Sequence, residues 1–229
     1  MSSVAIITAR GGSKRIPKKN IKDFCGKPII AYSIEAALKS ELFDEVMVST
    51  DSEEIAEVAK RYGAKIPFMR SEKNSDDFAT TADVLLEVVS EYKKCGKVFD
   101  SLCCIYPTAP FITADKLQKA SVIFEAEHAD ALIPVVRFSF PPQRCFVQEA
   151  NRIAYKWPEN AVKRSQDLEP YFHDVGQFYF IKTDIITQYK TLVPNNTVPF
   201  EIDEMEVQDI DNITDWKMAE IKYKFMVEE

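Results

Sequence analysis

Over the first two-thirds of the chain, short apolar runs alternate with stretches of helical periodicity, and few folds satisfy that rhythm. VAIIT (4–8), EVMVST (45–50), SLCCIY (101–106) and ALIPVV (131–136) read as strands. Between them PIIAYSIEAALKS (28–40), SEEIAEVAKRYG (52–63), TADVLLEVVSEYKKCG (81–96) and TADKLQKASVIFEAE (113–127) carry helical spacing. Asp51, with Glu54 three residues on, has the pattern of a helix-starting cap, and Gly63 and Gly96 have that of stops. Strands joined through helices of this length need right-handed crossovers and a mostly parallel sheet covered on both faces. The expectation is a three-layer, Rossmann-like α/β fold.

The rhythm breaks near residue 137. Residues 138–172 carry Pro141-Pro142, Pro158 and Pro170, and the strand-like pieces RCFVQ and RIAYKW lie either side of EAN. A hairpin leaving the main sheet is the simplest reading. Regularity returns with GQFYFI (176–181), VPFEI (198–202) and an amphipathic helix over 213–226. Residues 1–137 and 173–229 are therefore expected to form one α/β domain, with 138–172 protruding from it.

Composition narrows the function class. No apolar run reaches transmembrane length, and the N-terminus lacks a signal-peptide pattern, so a cytoplasmic location is expected. Cys25, Cys95, Cys103, Cys104 and Cys145 have no metal-type spacing, and His128 and His173 are the only histidines, which makes a zinc site a poor fit. The net charge of −7 argues against nucleic acid as a partner.

Positive charge is instead concentrated locally. After the first strand, Arg10, Lys14, Arg15, Lys18, Lys19 and Lys22 follow one another with no acid between them, and Gly11, Gly12 and Ser13 lie in their midst. In an open parallel sheet, ligands sit at the carboxyl ends of strands, where this segment must lie. Glycines would let the backbone turn and approach a ligand, and cations would hold anionic oxygens. The segment suits a polyphosphate, although neither GxxxxGK[ST] nor GxGxxG is present. Taken alone, the run could equally be a solvated basic loop.

ARGGSKRIPKKN resembles the N-terminal signature of the sugar cytidylyltransferases that make CMP-activated nonulosonic acids, a group with the nucleotide-diphospho-sugar transferase fold. VSTDSEEIA (48–56), Arg70 ahead of SDDFATTADV, YPTAPFI (106–112) and DIDNITDW (209–216) follow in the family's order, and HDVGQFYF (173–180) is most similar to the pseudaminic acid members. The resemblance implies attack of a sugar's anomeric hydroxyl on the α-phosphate of CTP, releasing pyrophosphate with the help of Mg²⁺. It implies that Arg10, Gly11, Gly12, Ser13, Lys14, Lys19 and Asn20 hold the nucleotide, with Arg70, Thr80 and Thr81 near its base and ribose. Arg10, Lys19 and Asp211 would act in catalysis, the last through a metal-bound sugar hydroxyl. Sugar contacts would fall to Tyr106, Thr108, Arg164, His173, Gln177 and Phe178. The excursion would reach across a homodimer, although a lid folding onto its own subunit would have the same composition.

Several readings stay open beside these. Asp209 and Asp211, two apart on an extended segment, would present both carboxylates on one face about 6–7 Å apart, which suits a hard cation. Asp211 or Asn212 could instead cap the final helix, and Thr80 and Thr81 could open a helix rather than touch the base. Tyr106 stands where many sialic acid members have glutamine, and Arg164 could be one arm of a surface ion pair. N-acetylneuraminic and legionaminic acids are rival acceptors, and a non-catalytic nucleotide-binding module is the rival from another class.

Overall fold

A computed structural model describes residues 2–228. Its core is a sheet of β1 (Ser3–Thr8), β4 (Glu45–Ser49), β5 (Ser101–Ile105), β6 (Ala131–Arg137), β9 (Phe172–Asp174), β10 (Phe178–Lys182) and β11 (Thr197–Glu201). The order is β11-β6-β10-β5-β1-β4, with β9 pairing the end of β6. β4, β1, β5, β6 and β11 run the same way, while β10 and β9 run against them. The sheet is mostly parallel, as expected, with β10 inserted antiparallel between β5 and β6 and β9 antiparallel at the end of β6.

Alternation along β1 explains why its strand must be apolar throughout. Ala5 and Ile7 pack into the layer of α1 (Ile29–Ser40), α2 (Glu53–Arg61) and α4 (Ala114–Ala126). Val4 and Ile6 pack against α3 (Thr81–Lys94) and α5 (Thr183–Tyr189) on the other face. Side chains alternate across a strand, so a strand covered on both sides needs apolar residues at every position.

A third cluster docks α6 (Ile213–Glu228) against the short hairpin of β2 (Asp23–Phe24) and β3 (Lys27–Pro28). Phe24 packs edge-on against Tyr32, Trp216 and Tyr223 at centroid distances of 5.6, 5.5 and 5.6 Å. Such pairs contribute about 0.5–1.5 kcal/mol each beyond area burial. By anchoring α6 here, they bring residues 209–211 beside the basic loop that precedes β2.

One helix start differs from expectation, and a second follows one of the alternatives left open. The cap of α2 is Ser52, whose hydroxyl accepts from Ile55 N, while Asp51 accepts the Gly11 amide at 2.8 Å. Asp51 is drawn away because the basic loop offers it an otherwise unpaired N–H. At α6, Asn212 Oδ1 accepts from the Thr214 and Asp215 amides, and Asp215 accepts back from Asp211 and Asn212. Asn212 thus does the capping, and the Asp211 carboxylate takes no part in it. Gly63 and Gly96 do follow α2 and α3, at φ +95° and +74°.

The excursion contains the hairpin of β7 (Phe146–Glu149) and β8 (Arg152–Tyr155), turning at Ala150 with φ +52°. It leaves Phe140, Ile153 and Val162 largely exposed. The chain re-enters the sheet at β9, where Phe172 pairs with Arg137. Among the described residues, no helix is long and apolar enough to cross a membrane.

Candidate active site

β1, β5 and the antiparallel β10 place Thr8, Ile105 and Phe178 at one edge of the sheet, and the candidate site is built there. A cavity of about 540 Å³ opens between the basic loop, the segment 70–81 and the end of β5. Arg10, Ser13, Lys14, Lys19 and Asn20 line it, joined by Arg70, Thr80, Thr81, Tyr106, Thr108 and Asp211. The topology therefore brings together residues almost two hundred positions apart.

The loop's shape comes from side chains rather than from glycine freedom. Asn20 is buried and its Nδ2 donates to Arg10 O at 2.9 Å, and Lys18 sits at φ +53°. Gly11 and Gly12 are not among the positive-φ residues and do not line the cavity, contrary to expectation. Gly11 is needed for packing, because a Cβ there would lie 3.1 Å from Ser52 Cβ. At Gly12 a Cβ would meet nothing.

The cations are held by internal stand-ins for anionic oxygen. Arg10 bonds Asp77 Oδ1 at 2.8 Å and Asp76 O at 2.9 Å, and Lys14 pairs with the other Asp77 oxygen. Arg15 pairs with Asp211 at 2.6 Å. Lys19 donates to Ile210 O at 2.6 Å. Burial lowers the Lys19 pKa from its ordinary 10.5, against the opposing pull of the Asp211 and Asp209 carboxylates. Asp77 is held below the usual carboxylate range by its hydrogen bonds from Lys14 and Arg10. Asp76 and Asp77 were not singled out in the sequence, and Arg15 was read only as part of the basic run.

Arg70 is buried, with Nε donating to Ser49 Oγ at 3.0 Å and a terminal nitrogen to Ser49 O at 2.6 Å. Burial lowers its pKa, and among the described residues it forms no ion pair. A buried guanidinium without a carboxylate partner favours an anionic or electron-rich ligand nearby. Thr80 caps α3 in a reciprocal box with Asp83, as the helix-start alternative requires. Thr81 shares a 3.1 Å hydrogen bond with Tyr106 Oη.

Tyr106 and Thr108 form a shared wall with a second cavity of about 280 Å³, lined also by Asp174, Gly176, Gln177 and Asp209. Gly176, at φ +67°, interrupts the run from β9 to β10 there and lets Tyr106 N bond Gln177 O at 2.8 Å. Tyr179 Oη donates to the Asp174 carboxylate at 2.9–3.0 Å, and Gly176 N donates to it at 2.8 Å. Asp174 and Tyr179 were not among the candidates; their neighbours were.

Three candidate sugar contacts fall elsewhere. Phe178 is fully buried between Phe180 and Phe200, because strand alternation turns it into the helix layer opposite Tyr179. Arg164 is exposed and forks onto Asp167 at 2.8 and 3.1 Å, away from both cavities. His173 lies against Phe138 at 4.8 Å and lines a third hollow, which Asp209 also borders.

Asp209 and Asp211 lie either side of buried Ile210. They face different hollows, Asp211 the larger cavity and Asp209 its neighbours. Among the described residues, no cluster of three or more His, Cys, Asp or Glu side chains forms a metal cage. Two carboxylates with open oxygens still fit a hard cation that draws most of its ligands from phosphate and water.

A family model described as Cytidylyltransferase matches residues 4–222. The chain is 42% identical over 225 residues to pseudaminic acid cytidylyltransferase of Campylobacter jejuni, covering 98% of this chain and 97% of that protein. It is 32% identical over 229 residues to CMP-N,N'-diacetyllegionaminic acid synthase of Legionella pneumophila, covering 96% and 95%. Among solved structures, CMP:2-keto-3-deoxy-manno-octonic acid synthetase complexed with CTP aligns with a TM-score of 0.72 and 19% identity over the whole of both chains, a likeness of fold.

Proposed function

The chain belongs to the cytidylyltransferase family that makes CMP-activated nonulosonic acids, and on that footing we propose that it transfers CMP from CTP to the anomeric hydroxyl of pseudaminic acid. The observation that carries the acceptor is the near full-length 42% identity to a pseudaminic acid cytidylyltransferase. The paired cavities supply a place for each substrate. The larger takes the nucleotide, and the smaller, across Tyr106 and Thr108, takes the sugar.

In this reading the triphosphate displaces Asp77 from Arg10 and Lys14, and those cations then hold its oxygens. Lys19, fixed by Ile210 O, offers a partly desolvated charge where negative charge grows during in-line displacement. Arg70 and Thr81 border the base and ribose. The sugar hydroxyl gives up its proton to water as its oxygen bonds the α-phosphorus and the bond to pyrophosphate breaks. Asp209 and Asp211 would hold Mg²⁺, which when bound neutralises phosphate charge and acidifies a coordinated hydroxyl. The exposed apolar side chains of 138–172 fit a homodimer contact.

Pyrophosphate release with CTP and Mg²⁺ across pseudaminic, legionaminic, N-acetylneuraminic and Kdo acids tests this reading. Release with pseudaminic acid in preference to the others is expected. Preference for another acid overturns the acceptor, and CTP binding without release under any acid favours a nucleotide-binding module.

A further inference from the structure

The peptide unit between Arg10 and Gly11 is gripped at both ends by side chains. Asn20 Nδ2 donates to its carbonyl, Arg10 O, at 2.9 Å, and Asp51 Oδ1 accepts from its amide, Gly11 N, at 2.8 Å. A peptide unit is planar and turns as one piece, so its orientation decides how the chain and the neighbouring side chains leave it. Asn20 lines the larger cavity, whereas Asp51 is not among the residues that do. Asp51 therefore acts on the loop rather than on a ligand.

Of the two, Asp51 supplies the direction. An ionised carboxylate only accepts, so it admits the N–H and repels a carbonyl, while a primary amide can donate or accept and would serve either orientation. Asp51 has this freedom because Ser52 caps α2 in its place. The turn from β4 into α2 grips the loop at nearby points too. Ala9 N bonds Ser49 O at 3.0 Å, Lys18 pairs with Glu54 at 2.7 Å, and a Cβ on Gly11 would press on Ser52 Cβ at 3.1 Å. The Arg10 and Lys14 side chains are tied to Asp77, which the triphosphate is proposed to displace. Once that tie is gone, the peptide grip is what remains to aim Arg10.

We infer that Asp51 is a positioning residue, which by accepting the Gly11 N–H fixes the Arg10–Gly11 peptide and so aims the Arg10 guanidinium at the triphosphate. This rests on the reading above that Arg10 holds the triphosphate, and adds what keeps Arg10 in place. It also reverses the sign expected from charge. Burial lowers the Arg70 pKa, and Asp51 leads the carboxylates that oppose this shift. Deleting Asp51 leaves the surroundings of the cavity more positive, which by charge alone would tighten an anion; loss of positioning weakens it. Asp77 and Asp51 thus act oppositely on one nucleotide, the first competing for the cations and the second bracing the backbone that carries one of them.

The test is a calorimetric titration with CTP, without any sugar, on wild type, Asp51→Ala, Arg10→Ala and the double variant. Asp51→Ala is expected to raise the Kd for CTP about five- to tenfold, the loss of one hydrogen bond to a charged acceptor. In the Arg10→Ala background the same substitution is expected to change Kd by less than about twofold, because the group it positions is gone. Should Asp51→Ala not fold, Asp51→Asn carries the test, with a loss of about threefold and the same dependence on Arg10, since a neutral amide is the weaker acceptor. CTP bound as tightly as by wild type, or more tightly, overturns the inference. So does an equal loss with and without Arg10, the mark of a carboxylate that merely supports the loop. Arg10→Ala binding CTP as wild type does overturns the placement of the triphosphate, and the inference with it.

Discussion

Asp77→Asn should make the enzyme bind CTP more tightly, which is the reverse of the usual effect of changing a residue in a binding cavity. Asp77 bridges Arg10 and Lys14, the cations proposed for the triphosphate, so a nucleotide must first displace it. The side chains of Asp77, Arg10 and Lys14 are 47%, 40% and 77% exposed, so solvent screens these contacts strongly. Exposed ion pairs are weak, and removing this competitor should tighten CTP binding only about two- to fivefold. The loop should keep its shape, because Asp76 Oδ1 still accepts the Phe78 and Ala79 amides at 2.9 and 2.8 Å. Hydrogen bonds from Lys14 and Arg10 keep the Asp77 pKa below its ordinary 3.8, so it is ionised and competing throughout the neutral range. Calorimetric titration with CTP at low and high salt reads the effect, and the gain should shrink as salt rises. Unchanged or weaker binding at low salt would refute the reasoning and make Asp77 a support for the loop.

Other perturbations probe separate parts of the account. Glu45 is nearly buried; burial alone would raise its pKa, but hydrogen bonds from Lys97, Tyr92 and Lys65 outweigh that and hold it at about 2, against an ordinary 4.5. Its stabilisation is therefore complete above pH 4.5 and lost as pH falls towards 2. Glu45→Gln should cost about 2 kcal/mol near pH 7, with urea melts converging on wild type in acid. Gly63→Ala places a Cβ at φ +95° and 3.1 Å from Leu38 Cδ1, and should lower unfolding free energy by about 1–2 kcal/mol. Lys19→Met should reduce kcat about 10²–10³-fold in pyrophosphate release while the melting temperature holds, since it removes a partly desolvated charge.

The alternating apolar runs made the central sheet legible, because strands buried on both faces carry the pattern locally. The reversed direction of β10 was not legible, since GQFYFI would look the same in either orientation and only the route of the excursion decides it. The basic loop announced its own charge, and the sheet-edge rule placed it correctly. The acids that neutralise it, Glu54, Asp77 and Asp211, lie 36 to 196 residues away, and no local pattern marks such pairs. One position of strand phase separated Phe178 in the core from Tyr179 beside the cavity. Asp51 and Ser52 are equally good caps in sequence, and the Gly11 amide decided between them. Arg164 has a partner three residues on, so the bland surface pair prevails within a single chain.

The central claim is that the sugar's anomeric oxygen attacks the α-phosphorus of CTP in this cavity. It is tested most directly with pseudaminic acid carrying ¹⁸O at the anomeric hydroxyl, followed by mass spectrometry of the products. The account predicts that the label is retained in the bridge of the CMP-sugar and is absent from pyrophosphate. Label appearing in pyrophosphate, or free CMP formed with unlabelled oxygen from water, would contradict it.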